Sequence, residues 1–178
     1  MSKPNICFQG EYDGACFLYS ITNAFKALTG KKPTQELWDE ALKLVPFGQD
    51  FLVNIGTTRY DDDMDLYVLT VKRMLQIFSK NKFSFEVKAH PKINSQKKLH
   101  SLICDNCVII LVTEDHWMVG VDIDDREIYL ADSYKLVTMG AKYQEKQSHK
   151  LQRSYNDSRA LKDLSWLYNP SVVQILVK

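Results

Sequence analysis

The sequence is poor in the residues that define several classes of protein. Its 178 residues include only seven glycines, five prolines and four cysteines, too few for a collagen-like repeat, a low-complexity chain or a disulfide-rich scaffold. No charge of one sign predominates, because 23 lysines and arginines face 22 aspartates and glutamates and leave a net charge of +1. A chain without a broad basic field is not expected to bind nucleic acid or an anionic membrane.

Long apolar runs are missing as well. The longest, Cys107–Val112, is far shorter than the roughly 18 residues that a membrane-spanning helix requires. The first ten residues lack the apolar stretch of a secretory signal. These features predict a cytoplasmic protein, and a protein delivered into another cell as an effector would share them.

What the sequence does contain is the composition of an ordinary globular domain, with 45% hydrophobic and 25% charged residues. Its length favours a single domain over residues 1–178. Apolar residues spaced as in helices are concentrated early in the chain, and alternating or β-branched runs are concentrated late. This order predicts an α+β fold.

The periodicity also places the individual elements. Helices are expected over residues 16–28 and 34–42, from the aspartates at 61–65 to about residue 80, and, as a short one, over 94–105. Strands are expected over residues 83–87, 108–112, 116–123, 127–132 and 172–177. The strand over 108–112 is apolar throughout and is expected to be buried on both faces. Residues 46–60 are expected to form a connecting loop, and Lys142–Lys162 a surface loop or an exposed helix.

Four aspartates between residues 61 and 65 precede the third helix. Carboxylates at the start of a helix interact favourably with its dipole, so we interpret this run as helix capping. A calcium-binding loop is the alternative. Against it, Leu66 occupies the position that needs glycine, and Lys72 the position of the bidentate glutamate.

Cys104 and Cys107 form a C-x-x-C pair. Free thiols are the default expectation for this chain, and burial as small apolar side chains is the favoured role of the pair. A zinc site would need two further ligands, for which His90 and His100 are the nearest candidates. A redox pair should open a helix, whereas this pair is expected to end one and begin a buried strand.

Cys16 lies where a glycine-containing turn gives way to the first helix. The positive end of a helix dipole stabilises a thiolate, so this position suits a nucleophile as well as an ordinary buried cysteine. Gln9 lies seven residues upstream across the turn. Its amide can donate a hydrogen bond to an oxyanion beside the Cys16 backbone N–H, although a loop glutamine is more often simply solvated.

His116 and Asp132 lie at the two ends of the predicted hairpin. An imidazole is the side chain best suited to transfer protons near neutral pH, and a strand end holds it rigidly. A hairpin brings its first and last residues together, directly opposite or diagonally, so Asp132 is expected to orient His116. The neighbouring Trp117 is expected to shield the imidazole from water.

These residues together resemble the papain-like cysteine peptidase superfamily. The likeness rests on Gln9, Asp13–Cys16, Tyr19-Ser20, Asn23-Ala24, His116-Trp117 and Tyr129–Ser133. It covers residues 9–28 and 107–134, and is greatest to bacterial double-glycine leader peptidases and papain-like protease or deamidase effectors. The resemblance implies a nucleophile at the start of a central helix that packs on a mainly antiparallel sheet. Gln9 departs from the family pattern, in which the glutamine lies six rather than seven positions before the cysteine.

The resemblance implies a catalytic triad of Cys16, His116 and Asp132, with Gln9 in the oxyanion hole and neither metal nor organic cofactor. The expected activity is hydrolysis of a peptide or amide bond in a protein or peptide substrate, through an acyl-enzyme thioester. Two alternatives stay open: a glutamine deamidase or transferase that uses the same triad, and a binding module that kept the fold but lost catalysis.

Overall fold

A computed structural model of the chain describes residues 5–9, 14–113 and 116–178. Its helices are α1 (Cys16–Thr29), α2 (Gln35–Leu44), α3 (Gly48–Leu52), α4 (Met64–Ser79), α5 (Gln96–His100) and α6 (Lys135–Met139), with short 3-10 segments at Gly56–Tyr60 and Gly140–Lys142. Its strands are β1 (Phe85–His90), β2 (Cys107–Thr113), β3 (His116–Ile123), β4 (Glu127–Ala131), β5 (Lys146–Gln147), β6 (Ser154–Tyr155), β7 (Asp157–Ala160) and β8 (Asn169–Val177). The α+β prediction is confirmed.

The three longest helices begin and end on the predicted residues or close to them. Gly30 ends α1 in the left-handed conformation, at a φ of 71°, which glycine adopts without strain. The Thr34 side chain accepts a hydrogen bond from the Leu37 N–H at the start of α2. The Asp63 side chain accepts one from the Asp65 N–H at the start of α4, so the acidic run does cap a helix.

The expected loop over residues 46–60 is wrong in part, because α3 and a 3-10 segment lie within it. Phe51 and Tyr60 are fully buried there, their ring centroids 5.9 Å apart. Both elements are a single turn or slightly longer, too short to give a periodic apolar pattern. The short helix predicted over 94–105 is also reduced, to the five residues of α5.

The main sheet has six strands in the order β1-β8-β2-β3-β4-β7, and every pair of neighbours is antiparallel. As predicted, β2 is a central strand, and all seven of its residues are buried. Strand β8 is longer than expected and lies between β1 and β2. The remaining pair, β5 and β6, forms a separate two-stranded sheet.

Each face of the main sheet covers its own apolar cluster. On one face α1 and α4 pack against side chains such as Val119 and Val173. On the other, Met118 and Leu130 pack with α5 and with Leu161 and Leu167 of the C-terminal segment. Burial on both faces explains why β2 has no polar alternation.

The expectation of a surface loop or exposed helix over Lys142–Lys162 is wrong in part. Strand β7 completes one edge of the main sheet, and Arg153 is 7% exposed. Its guanidinium donates hydrogen bonds to the carbonyls of Cys107, Val121 and Asp105, at 3.1, 2.9 and 2.6 Å. A polar composition therefore conceals a segment that is fixed to the sheet by hydrogen bonds to backbone.

The expectation of free thiols is wrong for Cys104 and Cys107, which form a disulfide. Their backbones exchange two hydrogen bonds, at 3.2 and 3.1 Å, which turn the chain back just before β2. This turn holds the two Cα atoms 5.0 Å apart, within the range that a disulfide spans. Cys107 is buried, as predicted, at 2% exposure.

Within the described ranges, no helix is both long and apolar enough to cross a bilayer.

Replacing Arg153 with alanine should destabilise the protein by about 3 kcal/mol, since it leaves three carbonyls without their charged donor. Urea unfolding of the variant measures this. Lys150→Ala, which changes an exposed residue of the same segment, should shift the free energy of unfolding by no more than about 0.5 kcal/mol. If both variants shift the free energy of unfolding by the same small amount, the segment does not support the sheet.

Candidate active site

Cys16 is the first residue of α1, preceded by Ala15, which gives the helix no side-chain cap. The first N–H groups of a helix have no partner within the helix, so they point past Cys16 with their partial positive charge. Gly14 fixes the approach to this helix end. A Cβ on Gly14 would lie 2.9 Å from the Gly56 backbone nitrogen, so only glycine permits this contact.

His116 and Asp132 occupy the same end of the β3–β4 hairpin. The register pairs Val119 with Ala131, so the next residues along place Asp132 beside Met118 and diagonal to His116. The His116 Nε2 atom lies 2.8 Å from Asp132 Oδ1. The predicted proximity is therefore confirmed, in its diagonal form.

The structure brings Cys16 to this pair, since its side chain lies close enough to His116 to raise the pKa of the imidazole. Nε2 is occupied by Asp132, which leaves Nδ1 of the ring for the sulfur. All three side chains, together with Gln9, line one cavity of about 480 Å³. A thiol, an imidazole and a carboxylate thus meet at a cavity that is open to the surface.

The electrostatics of the site favour a charged imidazole. Burial lowers the pKa of His116, but hydrogen bonds to Asp132 and Cys16 and their charges outweigh it and raise the pKa to about 9. Burial raises the pKa of Asp132. The hydrogen bond and charge of His116, together with the charge of Lys135, outweigh burial and bring the pKa of Asp132 below its usual range. At neutral pH the pair is therefore an imidazolium and a carboxylate.

Gln9 lies at the cavity and is held by Ser133. Its backbone N–H donates to the Ser133 carbonyl at 3.2 Å, and its side-chain Oε1 accepts from the Ser133 hydroxyl at 2.9 Å. Since Oε1 is engaged, the Nε2 donors of this amide are left for a ligand. The Asn23 side chain bonds both backbone groups of Cys7, at 2.7 and 3.0 Å, and so holds this segment against α1.

Sequence reasoning missed two residues that position Asp132. The Asn156 amide accepts from the Asp132 N–H and donates to the Asp132 carbonyl, both at 2.8 Å. The Tyr134 backbone N–H donates to Asp132 Oδ1 at 2.7 Å, and the Tyr134 ring centroid lies 5.8 Å from that of His116. Tyr134 follows two residues after Asp132, which is a local signal, whereas nothing in the sequence near Asn156 marks it.

The expectation that Trp117 shields the imidazole is wrong. Neighbouring residues of a strand point to opposite faces, and the Trp117 ring packs on Phe17 and Tyr67, with centroids 4.8 and 5.0 Å away. Its Nε1–H donates to Thr57 at 3.3 Å. Trp117 therefore joins β3 to the helical layer, and Tyr134 is the aromatic residue beside the histidine.

The described residues hold no group of three or more histidine, cysteine, aspartate or glutamate side chains placed to bind a metal ion.

Comparison with protein-family models finds no match, and no curated protein matches the sequence.

The high pKa of His116 predicts a pH dependence of stability. The group titrates near 6.5 when unfolded and near 9 when folded, so its contribution is complete below pH 6.5 and is lost as the pH rises through 9. The expected loss is about 3 kcal/mol. Urea unfolding between pH 6.5 and 9.5 measures it.

Two variants isolate this contribution. His116→Gln and Asp132→Asn should both flatten the decline of stability with pH, because each removes the hydrogen-bonded ion pair. His149→Gln, which changes an exposed histidine, serves as the control and should leave the decline intact. If His116→Gln declines as steeply as the wild type, the pair is not charged in the folded protein.

Proposed function

We propose that the protein is a thiol-dependent hydrolase of the papain-like type that cleaves a peptide or amide bond in a protein or peptide substrate. The observation that supports this most strongly is the placement of Cys16 beside His116, whose ring lies 2.8 Å from Asp132, at a cavity large enough for a peptide segment. A helix that starts at the cysteine and a hairpin that carries the other two groups agree with the papain-like plan.

In the first step the Cys16 thiolate attacks the carbonyl carbon of the scissile bond. As the tetrahedral intermediate collapses, the C–N bond breaks and the His116 imidazolium gives its Nδ1 proton to the leaving amine. Asp132 accepts the Nε2–H throughout, which keeps the ring oriented and stabilises its charge. The products of this step are a free amine and a thioester on Cys16.

Water completes the reaction. Neutral His116 now takes a proton from a water molecule, whose oxygen attacks the thioester carbonyl and displaces the sulfur. The carboxylic acid leaves, and the thiolate and imidazolium are regenerated. No cofactor enters either step, and the same sequence with ammonia as the leaving group describes deamidation.

The negative oxygen of each tetrahedral intermediate needs preorganised donors. Cys16 supplies its backbone N–H at the start of α1, and Gln9 supplies the Nε2–H that Ser133 leaves unoccupied. The seven-residue spacing from Gln9 to Cys16 does not remove Gln9 from the site, since both line the same cavity. An intact nucleophile, base, orienting group and donor favour an enzyme over an inactive binding module.

Alkylation tests the nucleophile directly. Near pH 6 iodoacetamide should modify Cys16 at least about tenfold faster than Cys7, because Cys16, unlike Cys7, lies at a helix start beside the His116 imidazole. Burial raises the pKa of Cys7, the matched control. Peptide-level mass spectrometry gives both rates in one sample. Equal rates at the two thiols count against an activated nucleophile.

Turnover provides the second half of this test. Cys16→Ala should abolish cleavage of a random peptide mixture while changing the melting temperature little, whereas Cys7→Ala should keep cleavage. Retained cleavage by the Cys16 variant rules out the proposed chemistry.

Replacing Gln9 with alanine, which removes the side-chain amide, should lower kcat by about 10²–10³-fold, the usual effect of losing one oxyanion donor. Ser133→Ala should cause a smaller loss, because the amide stays but is no longer held. Ser133→Thr keeps the hydroxyl and should recover part of the rate. Steady-state kinetics should show these losses in kcat with KM nearly unchanged, and an effect on KM alone would place Gln9 outside the oxyanion hole.

A further inference from the structure

We propose that Lys135 and Arg159 form a carboxylate-binding wall of the candidate active site, which selects substrates with an acidic group close to the scissile bond. This inference rests on the proposed function and adds the substrate class. The acidic group is an aspartate or glutamate side chain, or the free C-terminus of a short leaving fragment.

The two cations come from different elements but face the same cavity. Lys135 begins α6, three residues after Asp132, and Arg159 lies on β7 at the edge of the sheet. Both line the cavity that also holds Cys16 and His116. The wall therefore belongs to the site where the reaction is proposed to occur.

Asp157 forms an ion pair with each of the two cations. Its Oδ1 lies 3.4 Å from the Lys135 Nζ atom, and its Oδ2 lies 3.0 Å from an Arg159 guanidinium nitrogen. The carboxylate is 11% exposed, whereas the two cationic side chains are 26% and 38% exposed. The positive groups thus face the cavity, and their counter-ion lies behind them.

The two cations share one carboxylate in direct contact. Among the described residues both form their ion pairs with Asp157, whereas Asp132, whose pKa the charge of Lys135 also lowers, forms its ion pair with His116. Asp157 Oδ2 has no aligned hydrogen-bond donor, so its contact with Arg159 is electrostatic. The guanidinium fork is therefore available to bind a second carboxylate, whose two oxygens match its geometry.

The wall lies beside the proposed reacting groups. Lys135 is three residues from Asp132, which bonds His116, and the intervening Ser133 bonds Gln9. The wall therefore binds a group close to the scissile bond.

A pair of alkylating probes tests the charge of the wall without needing a substrate. Iodoacetate and iodoacetamide differ by a carboxylate, and the ratio of their rates at Cys16 reports the local potential. The double variant Lys135→Gln/Arg159→Gln should lower this ratio by about threefold or more. His116 acts on the ratio in both proteins, so the difference between them isolates the wall.

Three controls accompany this measurement. The ratio at Cys7 in the same sample should not move, and Lys142→Gln/Arg126→Gln, which removes two exposed cations elsewhere, should leave the Cys16 ratio unchanged. The charge-conserving variant Lys135→Arg/Arg159→Lys should keep the high ratio, which excludes misfolding as the cause. An unchanged ratio in the neutral double variant, or an equal fall in the control double variant, overturns the proposal.

Cleavage of a random peptide library gives the second measurement. The two positions on each side of the cut should be enriched in aspartate or glutamate, or the released C-terminal fragments in dipeptides with a free rather than amidated C-terminus, and the neutral double variant should lose this enrichment. Cleavage without enrichment overturns the wall alone. Absence of cleavage with a normal alkylation difference overturns the proposed function and leaves the anion site.

Discussion

The hydrogen bond between His116 and Asp132 is the interaction on which the site depends. It joins the first residue of β3 to the residue after β4, so hairpin pairing alone brings the two groups together. The bond fixes which ring nitrogen faces the thiol, and with Cys16 it keeps the imidazole charged despite its burial. A buried imidazolium without such a partner would lose its proton.

Because this pair is local, the sequence could predict it. Alternation over 116–123 and 127–132 defined the hairpin, and apolar spacing of three and four residues located the start of α1. The arrival of Cys16 beside His116 could not be derived, since the two are separated by 100 residues (116 minus 16) and only tertiary packing joins them. The contact of Gly14 with Gly56 could not be derived either, because each glycine indicates only a local turn and does not identify its partner.

The supporting polar groups were hidden for a different reason. Asn156 and Arg153 lie in a hydrophilic segment, where composition indicates solvent exposure. Both instead satisfy backbone groups of distant strands, Asn156 at Asp132 and Arg153 beside β2. Hydrogen bonds to backbone carry no sequence signal in the partner, because every residue presents the same amide and carbonyl. Periodicity finds apolar contacts well and contacts of this kind poorly.

The local distribution of charge is likewise hidden in the composition. A net charge of +1 describes the whole chain and excludes a broad field, yet Lys135 and Arg159 concentrate positive charge on one wall of one cavity. In the proposed reaction these cations lie beside the thiol, the imidazole and the carboxylate that carry the chemistry. A carboxylate of the substrate near the scissile bond would bind to them, which is the basis of the proposed preference for acidic substrates.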